Sequence, residues 1–331
     1  MFIPESFITA LMMMLGGMIC WGSWPSIQKL ANWRFELFYY DFATGIFAAG
    51  ALIAVTLGTL FGSPTCWENL ATADRTAIVL TLLSGVIWNI ANVLLVNGIA
   101  LVGMAVAFLM AIGSSLVLST IGGYLVMPRG NPVLLAAGVA FILGAVIVNS
   151  LAYSSAATER KQGSRKGLIA CLLAGVLIST VGPVVGNALS AKPQLGPYGI
   201  TLLFTCAAFA STFPILYFFM RHPLEGSPTS AAGYRKGTIA QHAYGLSAGA
   251  VWTLGTALTW AAANQVGIAL AMAIGQANPL VAAGWGVFMW HEFKGAPRSS
   301  KMLLVLMFAL YVVGLMLLVS SRRNFTSGIA S

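Results

Sequence analysis

Long apolar runs, closed by short polar or glycine- and proline-bearing breaks, occupy almost the whole chain. Ten of them are long enough to cross the roughly 30 Å hydrocarbon layer of a bilayer as helices, which takes about 17–25 residues. They predict spans at 7–29, 35–61, 76–98, 103–127, 132–153, 167–190, 197–219, 243–262, 266–290 and 301–320. The breaks include Asn32-Trp33-Arg34, Asp74-Arg75, Pro128-Arg129-Gly130 and Lys192-Pro193. Between the third and fourth spans, Gly98 to Gly103 holds no charge. A fused helix of roughly 50 residues would overshoot the bilayer, so a break is expected there. The opening MFIPESF has an acid and no Lys or Arg ahead of its apolar run, so the first span is expected to be a retained helix.

Composition agrees with the pattern. Of 331 residues, 58% are hydrophobic and only 8% charged, where a soluble domain carries about 25% charged residues. So few charges cannot coat a soluble surface, and an all-α integral membrane protein is expected. The 36 glycines suit close helix–helix approach in lipid. The net charge of +9 marks topology and does not call for nucleic acid, because the basic residues lie between the spans. With alternating sides, one face collects Lys29, Arg34, Arg160, Lys161, Arg165, Lys166, Arg221, Arg235, Lys236, Lys294, Arg298 and Lys301. The other holds Arg75, Arg129, Lys192, Arg322 and Arg323. The richer face is expected in the cytoplasm, which puts both termini outside a plasma or inner membrane. Cys20, Cys66, Cys171 and Cys206 form no CxxC or metal spacing. No catalytic or nucleotide-binding motif is present, so neither enzyme, cofactor, metal nor ATP-driven pump is expected. The expected partners are a small solute, the lipid bilayer and protons, with the chain a monomer or homodimer.

The chain also matches itself. Residues 85–122 align with 249–286 at an offset of 164 without a gap. Identical pairs include Gly85/Gly249, Trp88/Trp252, Val102/Val266, Gly103/Gly267, Ala107/Ala271 and Gly122/Gly286. Nearer each half's start, Gly17/Gly175 and Pro25/Pro183 pair at an offset of 158. The expected organisation is a five-helix repeat over 1–154, a cytoplasmic linker at 155–166 and a second repeat over 167–331. An odd number of spans per repeat inverts the second copy. Inverted repeats place a solute site near the midplane and supply two mirror-related conformations, which a carrier needs and a channel or receptor does not.

A few polar residues inside the spans are candidates for that site. Asp41 lies in the second span, and an acid at helix centre costs about 2.5–3.5 kcal/mol on insertion scales. It reads either as a proton-coupling carboxylate or as a structural partner of Lys29 or Arg34. Glu292, after the ninth span, reads either as a gate paired with Lys294 or Arg298, or as an interfacial anchor. Trp21, Trp24 and Gln28 recur on one face of the first span. Pro25 is expected to kink that span and open its backbone, with Pro183 the sister feature in the sixth. The third span holds Trp88, Asn89 and Asn92, and the eighth answers with Trp252, Thr253 and Thr256 at the equivalent positions. Gln276 and Asn278 add amides in the ninth. Indoles stack on planar solutes, and neutral amides and hydroxyls donate and accept. Together they suit a polar, uncharged solute; interhelical hydrogen bonding is the other use for the same groups.

Several of these segments resemble the ureide permease family of the drug/metabolite transporter superfamily, over nearly the whole chain. Gly22-Ser23-Trp24-Pro25 is similar to its Gly-Thr-Trp-Pro, and Tyr40-Asp41-Phe42 to its Leu-Asp-Tyr. Trp285-Gly286-Val287 with Glu292-Phe293 resembles its Trp-Gly-Val…Gly-Glu-Tyr, and Asn89-Ile90-Ala91-Asn92 falls where it has Gly-Asn-Leu-Ala. The resemblance implies two inverted five-helix repeats. It also implies uptake of oxo-substituted nitrogen heterocycles such as allantoin, uracil or xanthine, with protons. Asp41 and Glu292 would be the family's acids, and Trp24 and Pro25 part of its first-helix motif. Plant members carry a long loop between spans five and six, which is short here. A sister family takes up glucose, ribose or rhamnose on much of this architecture, so monosaccharide uptake is the alternative.

Overall fold

A computed structural model describes residues 1–156, 164–222 and 228–326. Arg160 and Lys161, counted above on the basic face, lie outside them, as does most of the expected linker.

Among the described residues the regular structure is all helical, with no strand. In order they form α1 (Phe7–Ala31), α2 (Phe35–Val55), α3 (Cys66–Thr72), α4 (Arg75–Val102), α5 (Met104–Val126) and α6 (Pro132–Ala156). There follow α7 (Arg165–Ser179), α8 (Val181–Ser190), α9 (Pro197–Arg221), a 3-10 turn (Ala231–Lys236), α10 (Ile239–Val266), α11 (Ile268–Gly275), α12 (Pro279–Gly284), a π turn (Trp285–Met289) and α13 (Arg298–Thr326). Among the described residues, nine helical stretches are long and apolar enough to cross a membrane, counting α7 with α8, and α11 with α12 and the π turn, as one each. The eighth predicted span is α10, whose 28 residues are also long enough. Its interior threonines and paired Asn264-Gln265 make it less apolar than the other nine.

Local chemistry sets the ends. Ser6 caps α1 by accepting from Thr9 N, and Asn32 stops it in the left-handed conformation. The second helix ends at Val55, short of the predicted 61, because turns at 56–60 lead to α3. There Thr65 and Glu68 close a reciprocal capping box. Only Gly103 separates α4 from α5, at φ 79°, and only Gly267 separates α10 from α11, at φ 94°. These two glycines are a matched pair of the internal repeat, and both take a backbone conformation that needs glycine. Helix α1 runs on through Pro25, so the interruption expected there is not a helix break. The sixth span does break, at Thr180, three residues before Pro183, and the ninth breaks at 276–278.

The chain forms two compact units, each drawing on both sequence halves: residues 1–90 with 184–265, and 91–183 with 266–331. In the first, glycines bring helix backbones together. A Cβ on Gly45 or Gly249 would overlap backbone atoms of the facing helix in the α2–α10 pair, and so would one on Gly85 in the α4–α9 pair. One end of this unit gathers the residues around 2–5, 57–69, 194–198 and 264–265: Tyr198 donates to Phe2 O (2.8 Å), Asn69 to Gln194 O (2.8 Å) and Gln265 to Glu5 O (2.9 Å). At the other end Trp33 lies on Tyr234 and His242. The connections therefore sort alternately, as consecutive crossings require. In the second unit, Leu95, Val102, Ala107, Ala111, Cys171 and Ala174 form a buried core. Gly138 and Gly314 seat α6 directly against α13.

Candidate functional site

The first unit contains an aromatic cluster built from four helices. Trp88 of α4 and Trp252 of α10, matched residues of the repeat, have ring centroids 4.2 Å apart. Trp21 of α1 stacks on Trp252 at 6.5 Å. Phe204 of α9 closes the group, 5.6 Å from Trp88, 6.2 Å from Trp252 and 5.2 Å from Trp260. Each such ring pair adds about 0.5–1.5 kcal/mol beyond burial. Trp21 is fixed in rotation because its indole N–H donates to Thr256 Oγ1 at 3.0 Å, and that hydroxyl donates to Trp252 O at 3.0 Å. Trp21 is half-buried. Trp260 is buried, and its indole nitrogen is without a hydrogen-bond partner. Phe204 and Trp260 were not singled out by the sequence; both sit in ordinary apolar runs. Trp24 packs instead on Phe42, at 4.9 Å, and Gln28 is half-buried a turn further along α1.

Beside this cluster Asn89 ties three helices together. Its carbonyl accepts from Tyr39 OH of α2 at 2.7 Å. Its amide faces Ala208 O (2.9 Å), Ser211 Oγ (2.9 Å) and Thr212 Oγ1 (3.1 Å) of α9. In this conformation both amide hydrogens are engaged by protein. The matched residue of α10, Thr253, donates to Ile46 O of α2 at 3.2 Å.

Asp41 is 4% exposed, in α2. One carboxylate oxygen accepts from Tyr234 OH of the 3-10 turn at 2.5 Å. The other lies 2.7 Å from Nδ1 of His242, on the first turn of α10. Neither partner was named from the sequence: His242 falls one residue outside the predicted span, and Tyr234 lies in a connection. Arg34 engages Glu36 at 3.3 Å. Burial first, then the hydrogen bond to Asp41 and its charge, push the Tyr234 phenol up to about 12, so it remains a donor at neutral pH.

The remaining sequence-named residues belong to the second unit. Gln276, 4% exposed, donates to Ser115 Oγ of α5 at 3.0 Å where the ninth span breaks. Asn278 folds back on Gly275 O at 3.1 Å. Asn92 is buried in α4. Pro183 packs against Gly122 of α5, just past the break at Thr180. Glu292 is exposed and accepts from Tyr153 OH of α6 at 3.0 Å. The candidate set is thus divided. Trp21, Trp88, Trp252 and Thr256 come together; Asp41 and Asn89 make their own networks within the same unit; Asn92, Gln276, Asn278, Pro183 and Glu292 lie in the other.

Comparison with known proteins gives this arrangement a family. A sequence profile described as ureide permease matches residues 38–173 and 164–321. Ureide permease 1 and Ureide permease 4 of Arabidopsis thaliana are each 23% identical over 98% of this chain and 100% of their own length. The alignment with the former runs over 389 positions, longer than the chain itself, so the relative carries insertions. A crystal structure of a protein 16% identical shares the fold, with a TM-score of 0.63 over 96% of this chain and 99% of that one. With matches over most of its length and helices fit to cross a bilayer, this is an integral membrane protein of a transporter family: the chain belongs to the ureide permease family.

Proposed function

We propose that this chain is a secondary active transporter that imports a small neutral nitrogen heterocycle, of the allantoin, uracil or xanthine kind, together with a proton. The observation that carries the reading is the cluster of Trp21, Trp88, Trp252 and Phe204, oriented by Thr256. A flat heterocycle has two π faces and a rim of carbonyls and N–H groups. Indole faces supply sequence-blind affinity for the former, and hydroxyl or amide groups supply direction for the latter. Trp260, whose buried N–H has no protein partner, offers a donor to a ring carbonyl. The names of the plant relatives support the ureide class.

Two features support an inverted repeat of ten crossings, with α10 the eighth. Gly85 of α4 packs on Phe204 and Ala207 of α9, while its match Gly249 of α10 packs on Phe42 and Gly45 of α2. Asn89 donates to Ala208 O, while its match Thr253 donates to Ile46 O. A single exchange, α4 for α10 and α9 for α2, carries each contact into the other. Such symmetry lets one chain adopt two mirror-related states, which is the basis of alternating access. Pro183 and the interrupted backbone at 180 and 276–278 would take part in gating, with Glu292 at the end of the ninth span. Asp41 would couple the proton, from the end of the first unit that carries Lys29, Arg34, Arg235 and Lys236 and that would face the cytoplasm.

Uptake of radiolabelled allantoin and uracil by proteoliposomes, with and without a proton gradient, tests this. Saturable uptake driven by the gradient is expected. Asp41→Asn should abolish accumulation while sparing exchange. Absence of saturable uptake for every heterocycle would remove the substrate class, and unchanged accumulation in Asp41→Asn would remove the coupling role.

A further inference from the structure

We propose that Asp41, His242 and Tyr234 form a single proton site, and that loading this site unfastens the turn Ala231–Lys236 from α2. The inference takes its purpose from the coupling role proposed above and adds two residues and a moving part to it.

The geometry separates this acid from a simple structural ion pair. Asp41 is 4% exposed, and its two oxygens are divided between two different elements. Tyr234 on the turn holds Oδ1, and His242 on α10 holds Oδ2 at 2.7 Å. An imidazole is the side chain whose charge changes near physiological pH, so a proton can pass between carboxylate and ring with no rearrangement. Several titratable and charged groups lie on the elements around the pair. From α2, Tyr40 meets Tyr234 edge-on at 5.6 Å. At the start of α2, Arg34 is engaged with Glu36. On the turn itself, Arg235 and Lys236 are exposed. The pair is roofed by rings: Trp33 stacks on Tyr234 at 5.9 Å and meets His242 edge-on at 5.1 Å.

The Tyr234 hydroxyl is a polar fastening between the turn and α2. An apolar contact lies beside it, with Leu37 of α2, itself 5% exposed, 3.2 Å from where a Cβ on Gly233 would sit. While the carboxylate is ionised it accepts from both partners, and hydrogen bonds to an ionised acceptor are roughly twice as strong as neutral ones. A proton arriving on the carboxylate neutralises it and turns one oxygen into a donor. Tyr234, still protonated, then keeps at most a neutral bond. Gly237 and Thr238 alone separate the turn from α10, so its release acts at the start of the helix that carries Trp252 and Thr256.

The test reads Leu37→Cys, in a Cys206→Ser background, by its rate of maleimide labelling in the full-length solubilised protein without solute. The parent background supplies the baseline, and every rate below is taken relative to the same variant unfolded at the same pH, because maleimide reacts with the thiolate and its intrinsic rate falls with pH. Labelling is expected to be slow at pH 8 and about tenfold faster at pH 5.5, the scale set by exchanging a charge-assisted bond for a neutral one. Tyr234→Phe and Asp41→Asn should label fast at both pH values. His242→Gln should stay protected at pH 8 and shift the pH at which labelling sets in, which a merely structural histidine would not do. A rate independent of pH in the Leu37→Cys protein overturns the proposal, as does slow labelling of Tyr234→Phe at both values. Should Asp41→Asn fail to fold, Tyr234→Phe, which deletes one hydroxyl, decides the matter. Uptake measured in parallel keeps the two proposals apart. Labelling as expected with no heterocycle uptake overturns the transport reading alone; uptake with flat labelling overturns the latch alone.

Discussion

The matched stretches 85–103 and 249–267 do the same job by different means. Both seat a helix on a neighbour through a glycine, both carry a tryptophan into the shared cluster, and both end at a glycine of positive φ. Around α10, closeness comes from backbone. Gly245 and Gly249 are four apart on α10 and face Asp41 and Gly45 of α2, the small-xxx-small arrangement that brings helices together in lipid. Around α4, Gly85 lies against the Phe204 carbonyl as well as Ala207, and the Asn89 side chain adds bonds to partners on α2 and α9. Both contacts set a glycine against backbone, and the α4 side adds the larger set of side-chain hydrogen bonds.

The largest effects should come from the glycines. A Cβ on Gly249 would fall on the Phe42 carbonyl and 2.7 Å from Ile46 N, and one on Gly85 would meet the Phe204 carbonyl and Ala207 Cβ at 3.0 Å. Backbone cannot step aside as a rotamer can. Gly249→Ala and Gly85→Ala should each cost about 3 kcal/mol, with Gly249→Ala the worse, read as thermal unfolding in detergent. Gly284→Ala is the control: nothing lies within 4 Å of its added Cβ, and helix propensity favours alanine by about 1 kcal/mol. Equal stability of Gly249→Ala and the unmutated chain would break the claim that shape holds the α2–α10 contact.

Next in size is the pair of linking glycines. Gly103 (φ 79°, ψ 160°) and Gly267 (φ 94°, ψ 145°) lie in or beside a region that only glycine occupies comfortably. Alanine there should cost about 1–3 kcal/mol through backbone strain. Gly103 has open space around it, whereas a Cβ on Gly267 would approach Arg129 Cβ to 2.8 Å. The cost should therefore be greater at Gly267, and an equal loss at both would reduce the difference to backbone strain alone.

Much of this comparison was legible in the sequence because α4 and α10 keep one offset without a gap. Gly85, Trp88, Asn89 and Gly103 each find their match by simple addition. The facing helices did not declare themselves. Phe42, Gly45 and Ile46 correspond to Phe204, Ala207 and Ala208 at an offset of 162, and Phe42 and Phe204 are the identical pair among them. The Asp41 site was half visible. A carboxylate inside an apolar run stands out because lipid penalises it, but its partners lie where a span gives way to a connection, and polar residues are ordinary there. Helix breaks were misplaced for a related reason. Pro25 removes one hydrogen bond and α1 continues; the sixth span parts at Thr180, ahead of Pro183.

The smallest difference separates the two polar fastenings. Asn89→Ala removes the 2.7 Å bond from Tyr39 OH and the donors that face Ala208 O, Ser211 and Thr212. Thr253→Val removes one bond of 3.2 Å to Ile46 O, whose carbonyl belongs to a helix, and keeps the side-chain shape. Interhelical hydrogen bonds in membranes average about 0.6 kcal/mol, because groups freed by a mutation find other partners. Thr253→Val should then cost about 0.6 kcal/mol. Asn89→Ala should cost about 2 kcal/mol, since a buried phenol and an amide's worth of contacts are lost together. Thermal unfolding of the two variants and of the double mutant measures both. The sites share no partner, so their costs should add. Equal losses would mean that the amide fastens no more than the hydroxyl does, leaving the aromatic cluster as the principal tie between α4 and its neighbours.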